Sequence, residues 1–208
     1  MGKRLKTGFF ITFEGTEGSG KTTQIRRTAS HLRQRGSRVL LLREPGGTRV
    51  GEAIRRVLLN RNFKEMKRET ELLLYLAARA QLVREKIRPA LQKGTVVICD
   101  RFEDSTVAYQ GFGRGIPFPV LESVSRSLVR GRLRPHLTFV LDLPPRHGLK
   151  RGGRRDRIER ESLGFHQKVR QGFLRLARKD RRRVVVLDGR EGRETTARKI
   201  RKVLDRVL

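Results

Sequence analysis

Five short runs of near-continuous apolar residues punctuate this chain, at 9–14, 39–42, 96–99, 137–143 and 184–187. They do not alternate apolar with polar, which is how strands covered on both faces of a parallel sheet read. Between them lie longer stretches with helical spacing, at 21–35, 50–59, 69–92, 119–129, 162–177 and 195–207. The first is closed by Gly36, a natural C-terminal stop. In the longest, Leu73, Leu76, Ala77, Ala80, Val83, Ile87 and Leu91 form one stripe, and Pro89 predicts a kink or a restart. Strand alternating with helix predicts an α/β fold: three layers, doubly wound, with a five-stranded parallel sheet flanked by helices. No internal repeat or low-complexity linker divides the chain, so 1–208 reads as a single domain. The loops at 60–67 and 150–157 are long enough to move.

Composition narrows the class. The chain has 208 residues, 36% of them hydrophobic, enough to bury roughly 70% of the surface its unfolded form exposes. No apolar run approaches the ~18 residues of a membrane span, and the basic start of the chain lacks the apolar core of a secretory signal. Cys99 is the one cysteine and reads as a reduced core residue, and the four histidines are scattered without metal-ligand spacing. These features predict a cytoplasmic protein. The charge is extreme: 50 Lys and Arg, 38 of them Arg, against 21 acidic residues give +29. The basic residues are spread over the chain and dense only at 150–160 and 181–183. Aromatics are 6%, with no Trp, a poor supply for a base-stacking platform. The charge therefore predicts anionic partners of any kind, and nonspecific contact with nucleic acid at most.

The strongest chemistry follows the first run. Gly15, Thr16, Glu17, Gly18, Ser19, Gly20, Lys21 and Thr22 spell G-x-x-x-x-G-K-[ST] between a predicted strand and a predicted helix. Glycines let backbone amides curl around a phosphate, and the helix presents its positive end to it. Lys21 reaches β and γ oxygens, and Thr22 offers a hydroxyl to Mg²⁺. This assigns the loop to ATP. Asp100 closes the third strand, where a second metal-orienting carboxylate sits in this fold class.

Three kinds of phosphate-loop protein remain. A regulatory GTPase needs Asn-Lys-x-Asp and Asp-x-x-Gly, and neither occurs. A nucleic-acid-binding ATPase suits the charge but has no second lobe here. A small-molecule kinase needs an acceptor pocket and a lid. The candidates are the tight loop Arg43-Glu44-Pro45-Gly46-Gly47-Thr48, the pair Tyr75 and Arg79, and the segment that begins Asp100-Arg101 and continues through Thr106 and Tyr109. Tyr75 and Arg79, four apart, share a helix face. By spacing alone, in a chain with 38 Arg, that face reads as solvated, and the Pro-Gly-Gly loop reads equally as an ordinary turn.

Taken together, these segments resemble the bacterial thymidylate kinases, phosphate-loop kinases that convert dTMP to dTDP with ATP and Mg²⁺ on the way to dTTP. The similarity spans nearly the whole chain. It implies that Glu17 meets the dTMP 3′-hydroxyl, that Tyr75 stacks on thymine and that Arg79 bonds the base carbonyl. Thr106 would contact the thymine edge, Tyr109 would lie under the deoxyribose, and Arg101 would grip the 5′-phosphate with help from Arg43. Lys21, Asp100 and Arg101 become catalytic, and Thr22 and Asp100 serve Mg²⁺, mostly through phosphates and water. A short lid at about 150–157 and a homodimer are also implied. The third residue of the Asp-Arg motif is Phe102, where Tyr or His is common. The phosphate loop carries no arginine, so the lid's Arg154 and Arg155 are the expected source of catalytic charge, beside Arg151 and Arg157. The remaining readings are a kinase of this fold acting on another nucleotide or deoxynucleoside, and a nucleic-acid-binding ATPase.

Overall fold

The computed structural model describes residues 7–151 and 156–208. Five strands, β1 (Phe10–Glu14), β2 (Val39–Arg43), β3 (Val96–Asp100), β4 (Leu137–Asp142) and β5 (Val184–Asp188), form one sheet in the order β2-β3-β1-β4-β5. Every pairing is parallel. Each strand falls within a residue or so of its predicted apolar run. The helices are α1 (Lys21–Gln34), α2 (Arg49–Leu59), α3 (Arg68–Leu82), α4 (Arg88–Gln92), α5 (Glu103–Thr106), α6 (Phe118–Val124), α7 (Pro145–Arg151), α8 (Leu163–Lys179) and α9 (Arg193–Val207).

Side-chain alternation along the strands makes the three layers. Ile11, Phe13, Val96, Ile98, Phe139 and Leu141 point to one face, against Ile25, Ala29 and Leu32 of α1 and Ile200 and Leu204 of α9. Phe10, Val97 and Cys99 point to the other, against Leu82, Val83, Ile87 and Phe102. Val140 and Val184 on that same face meet Phe165, Val169 and Phe173 of α8. The central strands β1, β3 and β4 are buried on both faces, which is why they read as apolar runs, while the edge strands β2 and β5 are partly exposed. Cys99 is free and fully buried, as expected.

The long stretch at 69–92 departs from its prediction. A wide π-helical turn, Val83–Ile87, joins α3 to α4, and the Arg88 amide bonds back to the Val83 carbonyl. Pro89 sits at the start of α4, immediately after the π-helical turn. The predicted stripe holds in part. Leu76, Val83 and Ile87 are core, but Leu73 is 59% exposed and Leu72 takes the buried position instead. Two further helical segments escaped the apolar pattern. One is α5, which continues as a π-helical run, Val107–Gly113; the other is α7. α8 packs on the π-helical run because Gly172 has no Cβ: one built there would lie 3.1 Å from Ala108 Cα.

Candidate active site

The loop of residues 15–22 joins β1 to α1 at the carboxyl edge of the sheet. Gly15 and Gly18 have positive φ, and a Cβ at Gly18 would lie 2.3 Å from the Gly148 carbonyl oxygen of α7. Only glycine fits such a loop. Lys21 is buried, and its Nζ donates to the carbonyls of Gly15 (3.2 Å) and Thr16 (3.0 Å). Burial and the nearby Arg101 pull its pKa down, while Glu17, Asp100 and Glu14 hold it up.

Arg101 follows β3 with a φ of 70°, and its own amide bonds the Phe13 carbonyl. This turns its guanidinium across the sheet edge. Nη1 donates to the Gly15 carbonyl (3.0 Å) and to Ser105 Oγ (3.2 Å), and Nη2 donates to Glu17 (2.6 Å). Tyr109 Oη also donates to Glu17 (2.8 Å), and the Arg101 guanidinium lies 5.0 Å from the Tyr109 ring centre. Burial pushes Glu17 up, but Arg101, Lys21 and the two hydrogen bonds outweigh it and hold the carboxyl at about 2. Glu17 is therefore an anion at any working pH. Beneath it, the fully buried Glu14 accepts from the Phe102 amide (2.8 Å) and Ser105 Oγ (2.5 Å). Burial, with Asp104 adding, pushes its carboxyl up to about 8.

Arg79 departs from the solvated face that its spacing alone suggested. It is 1% exposed. Its Nε and Nη2 both lie 2.7 Å from Glu44 Oε2, and its guanidinium sits 5.0 Å over the Phe102 ring. The spacing of Tyr75 and Arg79 suggested a solvated face, but a buried pair wins because Glu44 supplies the counter-charge. Phe102 is explained too: it is the apolar floor under that guanidinium. Burial pushes Glu44 up and Arg79 draws it back.

One cavity of about 860 Å³ connects these groups. It runs from the phosphate loop past Thr22 and Asp100 to Arg43, Glu44, Pro45, Tyr75, Arg79, Arg101, Thr106 and Tyr109. On its lining residues, Ser19 Oγ, Glu44 Oε1, Arg79 Nη1 and Asp100 Oδ1 are buried without a hydrogen-bond partner among the described residues. Buried polar atoms are normally paired, so such a cluster marks a binding site. Of the described loop, acceptor and metal candidates, all but Gly15 and Thr16 line this cavity, and those two offer their carbonyls to Lys21 Nζ. Arg43 lines it while bonded through Nη2 to both carboxylate oxygens of Glu52 (3.0 and 3.1 Å). Arg154 and Arg155 lie outside the described residues. Arg151 lines the cavity, with Nη1 3.4 Å from the Gly18 carbonyl. Arg157 is turned elsewhere, into a buried ion pair with Glu71 (2.7 Å).

Several lining residues have no role in the sequence reading: Gln110, Asp156 and Glu159, which stand in its motif segments, and Arg55 and the loop 189–193, which carry no motif. The loop was findable, since it leaves the carboxyl end of β5, where ligands bind in open α/β sheets. Thr22 and Asp100 offer hard oxygen donors, and Asp100 Oδ1 is one of the unpartnered atoms. That set fits Mg²⁺ carried mainly by nucleotide phosphates. Among the described residues there is no cluster of three His, Cys, Asp or Glu to cage a metal.

A glycine loop for phosphate, a lysine over it and a second pocket at the same sheet edge define a phosphate-loop kinase with a nucleotide-sized acceptor site. The comparisons narrow the class. The family profile described as "Thymidylate kinase" matches residues 13–200. The thymidylate kinase of Geobacter sulfurreducens is 50% identical over 206 residues, covering 95% of this chain and 96% of that protein. The one from Carboxydothermus hydrogenoformans is 54% identical over 187 residues, covering 88% and 90%. The crystal structure of thymidylate kinase from Ehrlichia chaffeensis superposes with a TM-score of 0.78 at 33% identity, covering 96% of this chain and 99% of that one. The chain belongs to the thymidylate kinase family.

Proposed function

We infer that this chain transfers the γ-phosphoryl group of ATP to dTMP, giving dTDP for dTTP synthesis. The observation that carries the reading is the single cavity in which the phosphate loop meets a pocket walled by Tyr75, Arg79, Thr106 and Tyr109, with Arg101 and Glu17 at the junction. The free Nη1 of Arg79 supports a hydrogen bond to a base carbonyl, on a base stacked against Tyr75 with Thr106 at its edge. Glu17, an anion held by Arg101 and Tyr109, suits acceptance of a sugar 3′-hydroxyl. Tyr109 beneath the sugar leaves little room for a 2′-hydroxyl.

The acceptor is a phosphate oxygen that is already anionic near neutral pH, so no strong general base is needed. Positioning and charge neutralisation do the work. Lys21 turns from the loop carbonyls to the phosphates, and Arg101 grips the acceptor phosphate, with Arg43 at the pocket's edge. Mg²⁺, when bound, neutralises the donor phosphates; Thr22 and Asp100 would hold it. Arg154 and Arg155 supply the remaining positive charge that the loop lacks. Exposed apolar residues on the neighbouring helices α2 and α3 and the turn after α6 (Val57, Leu73, Leu128) support a homodimer through that face. No helix among the described residues is long and apolar enough to cross a membrane; the reaction fits the cytoplasm, where ATP and dTMP meet.

The test is a coupled ADP-release assay across dTMP, thymidine, dUMP, dCMP and dGMP, with and without DNA. The reading expects dTMP to be the best acceptor and DNA to make no difference. ATP turnover stimulated by DNA and indifferent to dTMP would overturn it.

A further inference from the structure

Behind the acceptor wall lies a buried carboxylate that the reaction does not touch. Glu71, in the first turn of α3, is 1% exposed. It accepts from Gln110 Nε2 (2.9 Å) and from Arg114 through Nε (3.0 Å) and Nη2 (2.9 Å). Arg157 Nη2 lies 2.7 Å from Oε2, the oxygen that also accepts from Arg114 Nη2, as an ion pair without hydrogen-bond geometry. These partners come from different parts of the chain. Gln110 lines the cavity from the helical run after α5. Arg157 sits in the segment whose neighbours Asp156, Ile158 and Glu159 also line it. Tyr75, a further lining residue, is one turn along α3 from Glu71 itself. Glu71, Arg114 and Arg157 do not line the cavity.

The charges make this junction depend on one group. Two guanidiniums converge on a single carboxylate. Arg114 has a second partner in Glu161 (2.7 Å). Arg157 is buried; its other described side-chain bond is from Nε to the neutral Leu58 carbonyl (3.0 Å), and its amide bonds the Leu59 carbonyl (3.4 Å). Without the Glu71 charge, Arg157 would be a buried cation facing Arg114, a costly arrangement. The relief open to it is to leave, taking its cavity-lining neighbours Asp156, Ile158 and Glu159 along.

Resting on the dTMP kinase reading, we propose that Glu71 is a positioning residue for the acceptor half of the cavity, holding Gln110 and the segment 156–159 in register with Tyr75. The donor half, built by the phosphate loop and the loop 189–193, does not touch it. The consequence is asymmetric. Losing Glu71 loosens acceptor binding and spares ATP binding, whereas a general loss of folding would reduce active enzyme and leave both KM values alone.

The experiment measures KM for ATP and for the acceptor separately, using the monophosphate that the unmodified enzyme accepts best. Failure of the unmodified enzyme to prefer dTMP thus counts against the functional reading and not against Glu71. Glu71→Gln keeps the shape and removes the charge; it is expected to raise acceptor KM about tenfold or more and to leave ATP KM within about twofold. Arg114→Gln, at a more exposed position, should move acceptor KM the same way by a smaller factor, and it carries the test if Glu71→Gln does not fold. In an Arg157→Gln background, Glu71→Gln should add much less than it does alone, because the two act through one contact. Unchanged acceptor KM, parallel rises in both KM values, or fully additive effects would overturn the proposal.

Discussion

Replacing Glu17 by Gln tests the electrostatic core of the site. The carboxyl of Glu17 sits at about 2 against an ordinary 4.5, because Arg101 at 2.6 Å, Lys21 and the Tyr109 hydroxyl favour its anion over the cost of burial. Each tenfold gain in acidity is worth ~1.4 kcal/mol, so the arrangement contributes at most about 3 kcal/mol to stability. The side chain is 23% exposed, and solvent screening brings this nearer ~2 kcal/mol. The sign follows from the direction of the shift. A carboxyl whose folded pKa is lowered stabilises the fold above its unfolded value of 4.5, and that contribution fades as pH falls toward about 2. Glu17→Gln should therefore cost ~2 kcal/mol in urea unfolding near pH 7, and about half to two-thirds of that near pH 3.5. Turnover should fall as well, because Arg101 loses the partner that orients it. An equal cost at both pH values, or none at pH 7, would mean that the Glu17 charge does not organise the site.

Other expectations follow from the same geometry. Arg79→Met strands Glu44 in the interior and should cost ~3–5 kcal/mol in chemical denaturation, with much of that recovered by the double change Arg79→Met/Glu44→Gln; the double variant should still bind dTMP poorly. Tyr109→Ala should narrow the preference for dTMP over its ribose form, measured as the ratio of kcat/KM values, and an unchanged ratio would remove Tyr109 as the steric filter. Arg154→Ala/Arg155→Ala should lower turnover by on the order of 10³ while dTMP binding persists in calorimetry; near-normal turnover at saturating ATP would place the catalytic charge elsewhere.

What could be read in the chain depended on the range of the interactions. The phosphate loop was legible because its function lies in consecutive residues. The central strands were legible because burial on both faces leaves unbroken apolar runs. For Arg79, spacing alone pointed to solvent because its partner, Glu44, is 35 residues away, and spacing cannot show a buried counter-ion. The stripe on α3 slipped for a different reason. It slipped at its edge, within regular helix: the buried face of α3 runs through Leu72, Leu76, Arg79 and Leu82, and Leu73, one position round the helix, is exposed. Arg157 stood among basic residues and read as one more lid arginine until Glu71 was seen facing it. Glu14 and Glu44 carried no periodic signal, since each is a lone acid at the end of a strand or just beyond it.

Phosphoryl transfer itself remains the most direct measurement. With ATP labelled at the γ position, dTMP and Mg²⁺, the label should appear in dTDP, and Lys21→Met should abolish that transfer while the protein still melts cooperatively. Label released only as inorganic phosphate, or carried to another monophosphate in preference to dTMP, would contradict the account.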